Sequence, residues 1–237
     1  VIAAPGASAI IAALPRVLSG TRVAIPRPTY NEHAAAFQSA GWSIADGPQL
    51  VQVVVHPNNP DGRLWKTGEL NAHVTIIDES FCDAMPEHTL IHRAARPRSV
   101  VLKSFGKFWG LAGLRLGFAI GDPEIITKLA EILGPWQVSG PALSIGAEAL
   151  SDPHWADESR QRLTRDASRL DQLMTKNGAD IVGGTPLFRL YRVKDALAAQ
   201  DHLAKHRIWS RIFPYSKDWL RLGLPAPGRW GQLEAAF

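Results

Sequence analysis

A series of short, almost wholly apolar, β-branched runs separated by helical stretches constrains this chain more than any other feature. The runs lie at Val1–Ala4, Arg22–Ile25, Leu50–Val55, Val74–Ile77, Ser99–Leu102 and Leu116–Ile120. A strand wetted on one face alternates apolar and polar side chains. Runs that are apolar on both sides belong to strands covered on both faces, which is the arrangement of a largely parallel sheet between helices. Ala7–Leu18 and Tyr30–Ala40 read as helices between these strands, and Pro123–Leu133 follows a Gly-Asp-Pro start signal. The pattern predicts an α/β fold, a mostly parallel sheet flanked by helices.

From Gly140 the texture changes. Pro141–Asn177 is helical with a break at Ser151–His154, where Asp152-Pro153 interrupts it, and Leu163, Leu170 and Leu173 share one face of its second half. Gly178 and the Gly183-Gly184 pair read as punctuation before a strand at Leu187–Val193. A helix at Ala196–His206 and a strand at Trp219–Leu222 follow. These elements predict a small α+β C-terminal domain over 149–237, after a large domain over 1–148.

Composition narrows the function. With 237 residues, 46% hydrophobic and 20% charged, the chain can bury a core without disulfides or metals. A lone cysteine, Cys82, forbids an internal disulfide and argues against a cysteine-based zinc site, so no metal is expected. The net charge is +4, but basic and acidic residues are interleaved, so nucleic acid is not expected as a partner and small anions are. No apolar run approaches the ~20 residues that span a bilayer, so no membrane partner is expected. The lone cysteine and the lack of a signal-peptide layout point to the cytoplasm.

Five short elements carry chemistry, each with a structural alternative. Lys107 sits in SFGKFWGLAGLRLG between Phe105, Phe108 and Trp109, so it is expected off the open surface, where desolvation favours the neutral amine that attacks an aldehyde. Arg115, eight residues on, offers a fixed charge to a phosphate, although both cations could be ordinary surface residues of a connection. Asp78 ends a strand, where a carboxylate can hold a protonated ring nitrogen or simply cap a helix. HPNNPDG presents Asn59 from an irregular turn, and turn composition alone would also explain it. PGASAII offers backbone N–H groups and Ser8 to a phosphate, but small residues before a helix are common. Tyr30 in PTY can stack on an aromatic ring or pack at a helix start.

Taken in order, the small-residue turn, Tyr, Asn-Pro-x-Gly, strand-end Asp, and Lys followed by Arg resemble the fold-type I pyridoxal-phosphate enzymes of aminotransferase class I/II. More narrowly, PTYNEHAAAF, HPNNPDGR, DESF, KSFGKFWGLAGLRLGFAIGDP and PWQVSGPAL resemble the histidinol-phosphate aminotransferase branch and its cobalamin-pathway relatives, the threonine-phosphate decarboxylases. The resemblance implies the aspartate aminotransferase-like fold and pyridoxal 5'-phosphate as cofactor. By its pattern, Lys107 forms the internal aldimine and Asp78 pairs with the pyridine nitrogen. Asn59 contacts the ring 3-oxygen, Tyr30 stacks on the ring, and Ala7, Ser8, Ser104 and Arg115 hold the phosphate. Arg221, in WLRLGLP, matches the substrate-carboxylate arginine. A homodimer is implied as well.

Two positions depart from the pattern. Phe81 stands where these aminotransferases usually carry Tyr, which removes a donor to the 3-oxygen and favours the decarboxylase branch. Gly106 stands where Ser or Thr often precedes the lysine. The expected activity is decarboxylation of L-threonine O-3-phosphate to aminopropanol phosphate, with a histidinol-phosphate type aminotransferase as the alternative. A third reading is a non-catalytic scaffold or inactive fragment. Against the family, a leading segment ahead of Val1 is expected to be missing. The stretch Leu70–Val74 is short for a helix between parallel strands, so an internal omission is expected there too.

Overall fold

The apolar runs become strands because both of their faces are buried. The structure, a computed structural model, describes residues 1–237. Seven strands form the first sheet: β1 (Ile2–Ala4), β2 (Arg22–Ala24), β3 (Ser43–Ala45), β4 (Val51–Val55), β5 (Val74–Asp78), β6 (Ser99–Ser104) and β7 (Gly117–Gly121). Their order is β1-β7-β6-β5-β4-β2-β3. Strands β2 to β6 pair in parallel, whereas β7 is antiparallel to both its neighbours, β6 and β1. Six of the seven coincide with the apolar runs. The exception, β3, has only Ala45 buried and exists through its pairing with β2.

Three helices, α1 (Ala7–Val17), α2 (Asn31–Ser39) and α3 (Pro123–Leu133), cover one face. Ile10, Ile11 and Leu14 of α1, Phe37 of α2 and Leu129 of α3 share a core with Val23, Val51, Val53, Ile76, Val100 and Leu102 of the strands. The Asp122 carboxylate starts α3 by accepting from the amides of Glu124 (2.9 Å) and Ile125 (3.3 Å), as an N-cap does.

The other face carries Val54, Ile77 and Val101, covered by Trp65, Leu70 and Leu90 from irregular connections. The crossover from β4 to β5 contains only a 3-10 turn at Thr67–Glu69. Although it lacks a helix, it is well held: the Trp65 indole donates to Val55 O (3.0 Å) and Gln52 Nε2 donates to Glu69 O (3.2 Å). Two large buried side chains do the covering that a helix face would otherwise do.

The chain divides into two units. The first comprises 1–59 and 64–153, and includes α4 (Gly140–Leu150). The second comprises 60–63 and 154–237, with α5 (Pro153–Lys176), β8 (Asp180–Thr185), β9 (Phe188–Arg192), α6 (Ala196–Lys205), β10 (Arg211–Phe213), β11 (Ser216–Gly223) and α7 (Trp230–Glu234). Its sheet is antiparallel in the order β10-β11-β9-β8. Leu170, Met174, Tyr191, Leu203, Leu220 and Trp230 form its core. Asp171 of α5 accepts from Tyr191 Oη (2.7 Å) and from Arg189 Nε (2.9 Å), which fixes the helix on β9.

The Gly183-Gly184 pair does precede the expected strand, which is β9, but it lies inside a further strand, β8, where the sequence reads as a break. A side chain at Gly183 would collide with the carbonyl of Asp61, and one at Gly62 with the carbonyl of Gly184, so the segment 60–63 lies backbone to backbone on β8. Glycine there serves close approach, not termination. No helix is long and apolar enough to cross a membrane.

Candidate functional site

Strand direction alone gathers the candidate residues of the first unit. Strands β2, β4, β5 and β6 are parallel, β7 opposes them, and β1 opposes β7, so β1 runs with the majority. The residues that follow β1, β2, β4, β5 and β6, and those that precede β7, therefore emerge at one edge of the sheet. These are Ala7 and Ser8, Tyr30, Asn59, the strand-end Asp78, Ser104 with Lys107, and Arg115. That carboxyl edge is where α/β sheets hold ligands.

The turn after β1 is built for an anion. Gly6 caps α1 with φ 83°, no side chain caps the first amides, and no acidic residue lies in the first turn. A Cβ at Gly6 would stand 2.6 Å from Arg115 Nη2, so the guanidinium rests against the bare backbone of the turn. Arg115 itself has a left-handed φ of 52°, and its Nη1 donates to Ala112 O (3.0 Å). The helix N-terminus, the guanidinium and the Ser8 hydroxyl make a donor set for a phosphate. Ser104 Oγ, at the end of β6, accepts from Gly106 N (3.2 Å).

Gly117 holds this turn to the sheet, since a Cβ on it would lie 2.5 Å from Ala7 N and 2.8 Å from Gly6 C. Both obstacles are backbone and cannot swing aside. Gly117→Ala is expected to cost about 1–3 kcal/mol. A lowered melting midpoint together with weakened phosphate binding would show that the two share this contact.

Asp78 is 2% exposed. Its Oδ2 accepts from His33 Nε2 (2.9 Å), and its Oδ1 accepts from Ser80 N (3.0 Å) and from the Ser80 hydroxyl. Burial by itself would raise this carboxyl, but the His33 hydrogen bond and charge and the two Ser80 bonds outweigh it and hold the group below the usual carboxylate range. The carboxylate is thus kept ionised in a dry place, as a counter-ion for a protonated ring requires.

His33 is fully buried, and its Nδ1 has no hydrogen-bond partner. Its Nε2 is the nitrogen that donates to the carboxylate. Sequence reasoning missed His33. The signal was available: it lies three residues after Tyr30 and four before Phe37, on the face of α2 that meets the sheet.

Because the Asp78 value is lowered on folding, the stability it contributes is full above about pH 4 and is lost as pH falls through the lowered value. Removing His33 raises that value. Melting curves of His33→Ala between pH 3 and 7 are therefore expected to show acid destabilisation beginning at higher pH than in the parent.

Tyr30 is half-buried and meets the edge of His33, with ring centroids 6.2 Å apart. Burial, then the charges of Glu32 and Asp78, push its hydroxyl up. The segments bearing Tyr30 and Asn59 are tied through their neighbours. Thr29 Oγ1 donates to Asn58 Oδ1 (2.6 Å), and Asn58 Nδ2 donates to Pro28 O (3.0 Å).

Lys107 corrects an expectation. Phe105 and Phe108 turn inward and are 3% and 5% exposed, and this leaves the lysine between them on the outside. The turn buries both phenylalanines, and the charged side chain between them is left in water. Lys107 Nζ lies 5.4 Å from the centroid of the Phe81 ring, so Phe81 faces the amine from the loop after Asp78.

Arg221 belongs to the second unit, on β11. Its guanidinium lies 5.2 Å from the Phe188 ring and 6.0 Å from the Phe213 ring. Directly across the β10–β11 pair stands Arg211, also 6.0 Å from Phe213. Burial, then the charge of Arg211, pulls Arg221 down. Like charges opposed across a sheet repel, and an anion between them relieves that cost. Sequence reasoning missed Arg211 because β10, with one buried residue, left no strand pattern from which to read the pairing.

His56, Glu79 and Cys82 bring their ligand atoms within 4.8 Å of one another. Both nitrogens of His56 are committed, Nδ1 accepting from Trp65 N (3.0 Å) and Nε2 bonding to His88 O (2.7 Å). Burial pushes the Cys82 thiol up to about 12. With both imidazole nitrogens taken, the group packs as part of the core.

The comparisons with known proteins agree with this geometry. The family model for aminotransferase class I and II matches residues 43–236. The threonine-phosphate decarboxylase of Pseudomonas aeruginosa is 40% identical, over 98% of this chain and 76% of its own length. One from a Sinorhizobium species is 38% identical, over 98% and 74%. Among solved structures, the histidinol-phosphate aminotransferase of Clostridium acetobutylicum superimposes with a TM-score of 0.88 at 20% identity, over 99% of this chain and 81% of that one. The L-threonine-O-3-phosphate decarboxylase of Porphyromonas gingivalis superimposes at 0.83 and 19%, over 99% and 81%. At such identities the structures speak for the fold, whereas the family match and the 40% relative speak for descent: the chain belongs to the aminotransferase class I and II family.

Proposed function

We propose that this protein is a pyridoxal-phosphate-dependent lyase that decarboxylates L-threonine O-3-phosphate to aminopropanol phosphate in cobalamin biosynthesis. The observation that carries the cofactor reading is the buried, ionised Asp78 at the edge that also presents Lys107 and the Gly6–Arg115 anion cradle. The glycine turn and guanidinium fit a phosphate, and the carboxylate fits a protonated pyridine ring. The likeness to two threonine-phosphate decarboxylases over nearly the whole chain supports the substrate.

Bound pyridoxal phosphate supplies an electron sink for the pair released when a bond to the substrate Cα breaks. The residues of this chain divide the remaining work. Arg115, Ser104, Ser8 and the Ala7 amide hold the phosphate, and Asp78 keeps a proton on the ring nitrogen. Tyr30 covers one ring face and Asn59 donates to the ring 3-oxygen. Lys107 would hold the cofactor through its amine, and the same amine would serve as the proton carrier to the substrate Cα. Arg221 holds the substrate carboxylate, and Arg211 beside it suits a substrate with two anionic groups. Phe81 gives the 3-oxygen no hydroxyl partner.

A histidinol-phosphate type aminotransferase is the second reading, since membership of the aminotransferase class I and II family fits either reaction. Which reaction runs would depend on whether Arg221 and its neighbours hold the substrate so that its carboxylate or its Cα proton is the group lost. Incubation with threonine phosphate is expected to release carbon dioxide without any 2-oxo acid. Amino transfer to 2-oxoglutarate without carbon dioxide would exclude the decarboxylase.

The working unit is a cytoplasmic homodimer. In α4 only Ala142 and Gly146 are buried, whereas Leu143, Ile145 and Leu150 are 45%, 41% and 56% exposed. Large apolar side chains exposed together on one helix belong under another surface. Cys82, a buried free thiol, suits a reducing compartment.

A further inference from the structure

One buried cation joins the loop after Asp78 to the turn that bears Lys107. Lys103, the fifth residue of β6, lies with its Nζ 2.7 Å from Glu79 Oε2 and 2.9 Å from Asp83 Oδ1. Its side chain is 18% exposed, that of Asp83 is 18% exposed and that of Glu79 is fully buried. Burial alone would pull this amine down, but the charges of Asp83 and Glu79 hold it at about 12, so it stays charged. Glu79 is anchored in turn by Thr89 Oγ1 (2.7 Å) and by the amide of Leu90.

Asp83 has a second task. Its Oδ2 accepts from the Trp109 indole N–H at 2.9 Å. Trp109 stacks on Phe105, with centroids 5.5 Å apart and planes 17° from parallel, and meets the edge of Phe108 at 5.1 Å. Lys107 stands between those two phenylalanines and is itself exposed. Backbone bonds from Gly110 N to Lys107 O (3.1 Å) and from Leu111 N to Phe105 O (3.0 Å) also close the turn. Apart from the Phe81 ring 5.4 Å from its amine, the place of this exposed lysine is set by the turn that carries it.

We propose that Asp83 is a positioning residue: steered by Lys103, it clamps the Trp109 indole and thereby holds the turn that presents Lys107 to the cofactor. The proposal rests on the reading of Lys107 as the cofactor-binding amine. Glu79 and Asp83 hang from the same loop as Asp78, so one ammonium group sets the spacing between the ring-nitrogen partner and the amine. Catalysis loses steeply when such groups drift by an ångström.

The test compares the parent with Trp109→Phe, which keeps an aromatic ring for the stacking and removes the N–H together with part of the ring, and with Asp83→Ala and Asp83→Asn. Amide exchange at Gly110 and Leu111 in the full chain is expected to quicken about tenfold in Trp109→Phe and Asp83→Ala, the factor one lost hydrogen bond gives. Asp83→Asn keeps an acceptor for the indole and is expected to stay within about threefold of the parent. The rate at which pyridoxal phosphate becomes trapped on Lys107 by borohydride is expected to fall in the same order.

Unchanged exchange at Gly110 and Leu111 in Trp109→Phe would overturn the proposal. So would an equal acceleration of the β6 amides, since that is a general loss of stability. Trapping in the parent at some lysine other than Lys107 would sink the cofactor reading instead, and the exchange data would still judge the clamp.

Discussion

Lys107→Ala is expected to reduce carbon dioxide release from threonine phosphate on the order of 10³–10⁴-fold, because one amine serves both as the attachment point and as the proton carrier. The substitution separates chemistry from folding. Lys107 is exposed and fills no part of the core, so its loss leaves no cavity. The melting midpoint is expected to move by no more than about 0.5 kcal/mol of stability. Arg115 and Asp78 are untouched, so the variant should still bind pyridoxal phosphate reversibly while failing to be trapped by borohydride at position 107. Activity within tenfold of the parent would remove Lys107 from the reaction.

Asp78→Asn is expected to lower kcat on the order of 10²–10³-fold, with a smaller change in KM. The exchange is isosteric, and its amide oxygen can still accept from Ser80. It removes the negative charge that holds a proton on the ring, so it acts on the transition state more than on binding. It also disturbs His33. The single amide oxygen can accept from His33 or from Ser80 but not from both, so either orientation leaves a buried donor without its acceptor, at a cost of about 1–3 kcal/mol. Melting curves and kinetics together separate the two effects: a loss of kcat larger than that loss of stability is the signature of the missing charge. Full kcat in Asp78→Asn would refute the pyridinium role.

Much of the fold was legible because burial on both faces writes itself into composition. The runs at Val51–Val55, Val74–Asp78 and Ser99–Ser104 need no partner to be recognised. Strands β3 and β10 were invisible, each being three residues long with a single buried side chain, so pairing and not local pattern makes them. Gly183 and Gly184 misled for a related reason. Glycine marks both chain breaks and close backbone contacts, and only the presence of the 60–63 segment on β8 tells which.

The site divides in the same way. The sequence by itself determined which residue types follow each strand: the small-residue turn, Tyr30, Asn59, Asp78, Lys107 and Arg115 stand at element ends, where local signals are strong. Only the tertiary structure decided that they meet. That outcome depends on β7 running antiparallel between β6 and β1, which brings Arg115 against Gly6 across more than a hundred residues of chain. It also decided that Lys107 faces outward under the control of Asp83 and Trp109, and that Arg211 stands opposite Arg221. The physical reason is range. Periodicity and turn chemistry act over a few residues, whereas strand order, register and the sharing of a buried charge are settled by long-range pairing and by which polar groups can be satisfied once water is excluded.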